Sequence, residues 1–419
     1  MSHPAVVHPE PSAPPARGMA AWESRMAGQG RGVPRDRRAP RPDDVQLTSS
    51  DYLALSKHPE VVAARSRALR EHGAGPAPSD MFVLDDPARD DPVGGAERID
   101  VDSQGLFELE MAEFLEAPAA VACLSGWDAN VGLLNTLLEP ETAGCPVYPD
   151  MLAHASLWAG TRGTAARLHP FAHNDVEHLR RLLAEHGPGV VCVDTLYSPT
   201  GDTAPLADIV EACEDFGATL VADESHALGV LGPRGNGLAV QARLADRIAF
   251  RTADLAKAFA GHAGLIACSR GFADYLPFHA ANAISGSTPP PHDIAGLHAA
   301  LRVIVTDDAR RERLSEVTFK LHEGLRAVGC DTVPYGLGPD ESPILPLHAG
   351  SDLNLFEMQA RLDEQGILGA AFLPPTTPRN RALLRLTAHC ELTDQQIERV
   401  IAACATIAPL IRPRTAGSV

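Results

Sequence analysis

Lysine is almost absent from this chain. Lys57, Lys257 and Lys320 are the only three among 419 residues, and the other 33 of the 36 basic residues are arginine. None of the three follows a glycine, which excludes a Walker phosphate loop. Positive charge is scarce as well: 54 acidic residues against 36 basic ones leave a formal charge of -18. Such a surface repels phosphate backbones and anionic lipid, so neither nucleic acid nor a membrane is expected as a partner. Long apolar runs are missing. The best candidate, 400–411, contains Thr406 and Pro409 and continues an amphipathic helix. Residues 1–17 lack an apolar signal core. The eight cysteines include no CxxC pair. That pattern fits buried, reduced thiols rather than a disulfide frame or a zinc site, and predicts a cytoplasmic protein without a metal.

The chain is 45% hydrophobic and 21% charged, a composition that builds a large core, and its length predicts two or three structural units. Residues 1–45 are rich in Pro, Arg and Ala without an apolar period, and read as a flexible arm. Helices are expected over 60–70, 104–115, 129–138, 206–216 and from Asn174 to Gly187, with Asn174 and Glu177 as a capping box. Short apolar runs at 121–124, 190–195, 218–222 and 247–252 read as strands, and 83–103 as an acidic loop. Alternating strands and helices imply a mostly parallel sheet covered by helices, an α/β fold. Beyond Pro291 the pattern changes to long helices (294–305, 309–328) and a smaller mixed segment ending in a helix from Thr393. The expected division is 46–292 for an N-terminal segment and large domain, and 293–419 for a small C-terminal α+β domain.

Asp223 ends the apolar run Ala-Thr-Leu-Val-Ala. A parallel strand delivers the residue at its C-terminal end into the ligand crevice of an open sheet; a plain helix-capping role is the alternative. Lys257 follows the next strand and lies among Ala256, Ala258, Ala260 and Gly261. It is either an exposed helix residue or a retained amine, and a lysine forms a Schiff base where an arginine cannot. An Asp and a Lys so placed are what pyridoxal phosphate requires: an amine to hold its aldehyde and a carboxylate to keep its pyridine nitrogen protonated. Its phosphate needs backbone N–H groups at a helix start, and the turn at Ser125-Gly126-Trp127-Asp128-Ala129-Asn130 offers them. The spacing of His169, His173, His178 and His186 does not put two of them at i, i+4 on a helix, and they read as solvated histidines rather than a metal site. Gly229 to Gly237 opens no helix and is not a dinucleotide turn.

These stretches, with Ser50-Asp51-Tyr52-Leu53-Ala54-Leu55, His154-Ala155-Ser156-Leu157, Tyr197-Ser198-Pro199-Thr200-Gly201-Asp202, Asp223-Glu224-Ser225-His226-Ala227-Leu228-Gly229, Leu255-Ala256-Lys257-Ala258-Phe259 and Arg385-Leu386-Thr387, stand in an order and spacing that resemble the α-oxoamine synthase family of fold-type I pyridoxal-phosphate enzymes. The resemblance runs from about residue 47 to the C-terminus. It is strongest to the branch that makes α-hydroxyketone quorum-sensing autoinducers. It implies that Lys257 holds the cofactor and shuttles the α-proton, Asp223 pairs with the pyridine nitrogen, and His154 stacks on the ring. His226 and Ser198 would bond the phenolic oxygen, Gly126 and Trp127 the phosphate. Ser285-Gly286-Ser287 would reach the phosphate of the other subunit in a homodimer with shared sites. Arg385, with Ser50 beside it, would hold the amino-acid carboxylate. Plainer roles stand beside these: His154 as a core histidine, Trp127 as packing, Ser198 as a turn residue, Arg385 as partner of Glu391.

The chain departs from the family's pattern at several places. Ser50 replaces Asn, the acidic loop 83–103 replaces a Ser-Arg…Gly-Thr…His stretch, and His389 replaces a small residue. Asp254 stands where a Ser or Thr usually meets the phosphate. Three arrangements accommodate its charge: Asp254 points away while Thr252 or Ser285 supplies the hydroxyl, it pairs with an arginine such as Arg251, or the site binds its cofactor weakly; the arginine pairing is the favoured expectation. The implied reaction joins an amino acid to an acyl thioester, on CoA or an acyl carrier protein, with loss of CO2, giving an α-aminoketone. The alternatives are another reaction of the same cofactor, namely a decarboxylase, an aldolase or acyl transfer without CO2 loss, or a non-catalytic cofactor-binding sensor.

Overall fold

The computed structural model describes residues 38–75, 104–139, 142–330, 332, 342–374 and 376–412. The acidic loop 83–103 and residues 1–37 of the expected arm lie outside the described residues. The unit that begins at Arg41 carries every strand and helix named below.

The chain enters as β1 (Val45–Gln46), followed by α1 (Pro59–His72), α2 (Gln104–Phe114), β2 (Ala119–Cys123), α3 (Gly126–Leu137), β3 (Pro146–Pro149), α4 (Ala155–Gly160) and β4 (Arg167–Leu168). It continues as α5 (Val176–His186), β5 (Val190–Asp194), α6 (Leu206–Phe216), β6 (Thr219–Asp223), β7 (Phe250–Asp254) and β8 (Gly264–Cys268). These strands form a seven-stranded sheet in the order β2-β8-β7-β6-β5-β3-β4. It is mostly parallel; only β8 runs antiparallel to its neighbours β2 and β7. β5 shows why: Val-Val-Cys-Val-Asp is buried at every position, the near-continuous apolar run of a strand covered on both faces. α6 stops at Gly217, whose φ of 68° closes the helix in the left-handed region.

Three expectations need correction. The helix after β4 is capped by Asp175, whose carboxylate accepts from the His178 N–H at 2.8 Å. Asn174 stands outside it at φ 56° with its amide committed to the Thr203 carbonyl. The strand expected over 247–252 is β7, shifted toward Asp254, because Arg247 turns outward to pair with Glu214 at 2.8 Å. β3, β4 and β8 are absent from the expected strands; β3 and β4 are short and carry proline or arginine, whereas β8, Gly-Leu-Ile-Ala-Cys, is as long as β5.

Further elements are α7 (Arg270–His279), α8 (Ala281–Ser285), α9 (Pro291–Thr306), α10 (Asp308–Ala327), β9 (Ile344–Gly350), α11 (Asp352–Glu364), β10 (Ile367–Leu368), β11 (Ala370–Phe372), β12 (Ala382–Thr387) and α12 (Asp394–Ile407). β11, β12 and β9 form an antiparallel sheet, and β1 pairs in parallel with β10. A Thr393–Gln396 capping box starts α12. The entering segment is stitched to the end of β12 and the turn after it by backbone bonds from Thr387 to Leu47 and from Cys390 to Tyr52, at 3.0 and 2.9 Å. Those bonds bring Ser50 and Tyr52 beside Arg385.

Candidate active site

β5, β6 and β7 run side by side and end in Asp194, Asp223 and Asp254. Parallel strands aim all three ends at one edge of the sheet, where open α/β sheets bind ligands. There a cleft is lined by Gly126, Trp127, His154, Asp194, Asp223, His226, Asp254 and Lys257, among others.

The start of α3 forms one wall. Ser125 caps it by accepting from the Asp128 N–H at 3.1 Å. A Cβ on Gly126 would lie 2.3 Å from the Cβ of Asp254, so only glycine lets this helix start approach the end of β7. The first N–H groups of a helix have no intrahelical partner, and with the helix dipole they attract an anion.

Asp223 is buried. Its Oδ2 accepts from Asn130 Nδ2 at 2.7 Å and its Oδ1 from the Ser225 N–H at 2.8 Å. Among the described ion pairs none involves Asp223, so amide donors position a buried carboxylate without neutralising it. Asn130 also donates to Ser156 at 2.9 Å and accepts from Thr252 at 2.6 Å, and Ser156 bonds His154 Nδ1 at 2.7 Å. This relay fixes the His154 ring at the mouth of the cleft, edge-on to the half-exposed Trp127 with ring centroids 6.3 Å apart. The His154 backbone N–H is held by Asp194 at 3.0 Å. Burial pushes the Asp194 carboxyl up, and the charge of Asp223 adds to the effect. His154 is accessible from solvent, yet crowding by protein lowers its pKa.

His226 meets the hydroxyl of Tyr52 at Nδ1, 2.6 Å away. Burial drives the His226 pKa well below its usual value, helped by the Lys257 and Arg385 charges, and burial raises Tyr52 to about 12. A neutral imidazole that accepts the phenol's hydrogen bond at Nδ1 carries its own proton on Nε2.

Lys257 lies in the connection between β7 and β8, whose ends are joined by a Leu255–Ala263 backbone bond of 2.9 Å. Its Nζ is 2.7 Å from Asp254 Oδ2. Burial pushes the Asp254 carboxyl up, but the lysine charge and hydrogen bond outweigh it and hold the pKa below the usual value. The expected pairing of Asp254 with Arg251 is therefore wrong. Residues three apart on a strand face opposite sides. Arg251 is buried on the other face, 3.6 Å from Glu224 and donating to the Leu115 carbonyl at 2.7 Å.

Arg385 on β12 is only 6% exposed. It donates from Nη1 to the Ser198 hydroxyl and carbonyl at 2.8 and 3.1 Å, reaches Ser50 Oγ at 3.4 Å, and lies 4.7 Å over the Phe372 ring. Among the described residues its Nε has no partner and no carboxylate pairs with it. Glu391 stands 3.9 Å from Arg310 instead. Burial lowers the Arg385 pKa. Ser198 thus sits against Arg385. Ser285 and Ser287 are exposed at and just beyond the end of α8 and do not line this chain's cleft.

The sequence pattern of the aminotransferase class I and II family matches residues 42–403. The chain belongs to this family. Members similar to it include the CAI-1 autoinducer synthase of Vibrio campbellii, 37% identical over 87% of both chains, and the 8-amino-7-oxononanoate synthase of Anaeromyxobacter sp., 32% identical over 89% of both. A structure of SPT with its PLP internal aldimine aligns with a TM-score of 0.77 at 26% identity, covering 88% of this chain and 89% of that one. The Sphingomonas wittichii serine palmitoyltransferase, 23% identical with a TM-score of 0.79 over 94% of this chain and 97% of that one, shares the fold. In this family member, a fold-type I enzyme, the site fits pyridoxal phosphate. Among the described residues a buried carboxylate lacks a cation, a glycine-opened helix start offers N–H groups, and Lys257 lines the same cleft.

Sequence reasoning missed four participants: Tyr52, Asn130, Asp194 and Phe372. Tyr52 and Asn130 lie inside the motifs that carry the resemblance, and Asp194 ends a strand as Asp223 does. Phe372 carried no signal.

Proposed function

We propose that the chain condenses an amino acid with an acyl thioester and releases CO2, giving an α-aminoketone. The observation that carries this reading is Arg385: a buried guanidinium, without a carboxylate of its own, whose charge is felt by Tyr52 and His226 at the edge of the Lys257 cleft. A guanidinium holds a carboxylate through two parallel N–H···O bonds, so an amino acid bound there presents its amine and α-carbon toward Lys257.

Pyridoxal phosphate, when bound, supplies the electron sink for a carbanion at the α-carbon. Lys257 Nζ holds the cofactor and takes the α-proton. Asp223 accepts the pyridine N–H, and its own amide donors keep it in place. His154 covers the ring face. His226, with its proton on Nε2, and Ser198 bond the phenolic oxygen. Backbone N–H groups at Gly126 and Trp127 bind the phosphate, with Asp254 beside them. Ser50 supports Arg385. The α-carbon would then bond the acyl carbon as the thioester C–S bond breaks and the sulfur leaves, taking a proton to become the thiol; departure of the carboxylate as CO2 would return its electron pair to the α-carbon, where a proton delivered from Lys257 replaces it.

The same reading assigns residues 46–292 to a larger cofactor-binding domain and 293–419 to a smaller one that brings Arg385. It assigns a cytoplasmic homodimer in which Ser285 and Ser287, exposed on each subunit, reach the phosphate of the other. The acyl donor is a CoA or carrier-protein thioester. The test is thiol release from acyl-CoA with a panel of amino acids, run beside CO2 release from carboxyl-labelled amino acid. One thiol and one CO2 per turnover support the proposal. CO2 without thiol, or thiol without CO2, replaces it with a decarboxylase or a simple acyl transfer.

A further inference from the structure

His173 is not a solvated histidine. Its side chain is 6% exposed, with Nδ1 2.9 Å from Asp150 Oδ1 and Nε2 3.3 Å from Asp202 Oδ2, and both carboxylates are fully buried. The Tyr197 ring meets the imidazole edge-on, with centroids 4.4 Å apart. Among the described residues, Asp150, Asp202 and Tyr197 are the titratable groups against His173, and Asp194 is the next acid, near enough to Tyr197 to raise its pKa. Two buried carboxylates about one imidazole need a positive charge between them. Burial alone would lower the His173 pKa, but its bonds to Asp150 and Asp202 outweigh that and raise it to about 9.

The two carboxylates belong to different parts of the cleft wall. Asp150 follows β3 and organises the loop to His154: its Oδ1 accepts the Leu152 N–H at 2.7 Å, and its carbonyl accepts the Ala153 N–H at 3.0 Å. Asp202 closes the turn that carries Ser198, its carbonyl accepting the Tyr197 N–H at 2.8 Å. Asn174 repeats the bridge next door, taking Asp150 Oδ2 with its N–H and giving its amide to Thr203. One short segment therefore ties the His154 loop to the Ser198 turn.

We propose that His173, as an imidazolium shared by Asp150 and Asp202, is a positioning residue that sets the spacing between His154 and Ser198. The inference rests on the reading of the cleft as the cofactor site. The sign follows from the raised pKa: the clamp is complete below the ordinary histidine value of about 6.5 and is lost as pH rises through about 9. Above that, Asp150 and Asp202 face a neutral ring and the two wall segments loosen.

The test uses the full chain loaded with pyridoxal phosphate. The visible cofactor band and its induced circular dichroism are followed from pH 6.5 to 10.5 for wild type, His173→Gln and Asp202→Asn. The wild-type dichroism should hold to about pH 8 and fall through about 9. Asp202→Asn removes one of the two acids that raise the histidine, so its limit should move down by about one pH unit. His173→Gln should show at least about a twofold weaker dichroism at pH 7.5, with no alkaline step. Wild-type dichroism and pH profile in His173→Gln would overturn the proposal. So would an alkaline limit that Asp202→Asn leaves in place, since that limit would belong to another group. If His173→Gln does not fold, the wild-type titration and Asp202→Asn still decide. A wild-type protein with no cofactor band at any pH overturns the reading of the cleft, and the inference with it.

Discussion

Asp223 and Asp254 end neighbouring parallel strands at the same edge of the sheet, yet their surroundings have opposite consequences. Asp223 is gripped by an amide side chain and a backbone N–H, and no described cation touches it. Asp254 is 2.7 Å from the Lys257 ammonium. The first carboxylate is positioned by amide donors and has no described counterion, which leaves its place open for a cationic ring nitrogen. The second already has its counterion. Strand topology puts a carboxylate at each end, and the neighbours decide which of them does chemistry.

The largest effect should come from removing the group between them. Lys257→Ala should abolish the visible cofactor band and the cofactor trapped by borohydride, and with them turnover. Label found instead on Lys57 or Lys320 would move the site.

Asp223→Asn comes next. It keeps the side-chain volume and still accepts the Ser225 N–H, but it removes the charge that keeps the pyridine nitrogen protonated. Losing one preorganised electrostatic partner costs about 10²–10³ in rate. The α-proton of a bound amino acid should exchange slower by that factor in deuterated solvent. Cofactor retention should change less. Undiminished exchange would mean that Asp223 merely anchors Asn130 and Ser225.

Arg385→Ala should act on the other substrate half. Hydrogen bonds to a charged group contribute about 1.5–3 kcal/mol, and about 1.4 kcal/mol is tenfold in affinity. The amino-acid constant should therefore rise about tenfold or more while the cofactor band persists. A loss confined to the acyl donor would place Arg385 on the thioester side.

The sequence made Lys257 legible through scarcity: in a chain that uses arginine for nearly every cation, a lysine among alanines is conspicuous. Asp223 and Arg385 were legible through motif order. What hid was partnership. That Arg251 and Asp254 lie on opposite faces follows from their odd separation once the strand is placed, and the strand was placed three residues too early. The His173 clamp had no sequence signal, because Asp150 and Asp202 lie 23 and 29 residues away and meet it only through the order of β3 and β5 in the sheet. Tyr52 reaches His226 across 174 residues, because the entering segment is bonded back onto β12.

The smallest effect, and the sharpest test of the comparison, belongs to Asp254→Thr. At this position the carboxylate balances Lys257, but it also stands against Gly126 at the helix start that would receive a phosphate. Two like charges about 4 Å apart cost about 1 kcal/mol in water and more in a cleft. Asp254 is about one-third exposed, with 31% of its side chain accessible, which favours the low end of that range. A threonine removes the repulsion and supplies a hydroxyl. It leaves the Arg251–Glu224 pair on the opposite strand face untouched. Cofactor should then be retained about fivefold longer on dialysis at neutral pH. The gain should shrink under acidic conditions, because the lysine holds the Asp254 pKa below the usual carboxylate range and the wild-type carboxylate loses its charge only there. Faster loss of cofactor from Asp254→Thr would show that the Lys257 pairing matters more than the repulsion, and Asp254 would join Asp223 as a carboxylate the bound cofactor depends on.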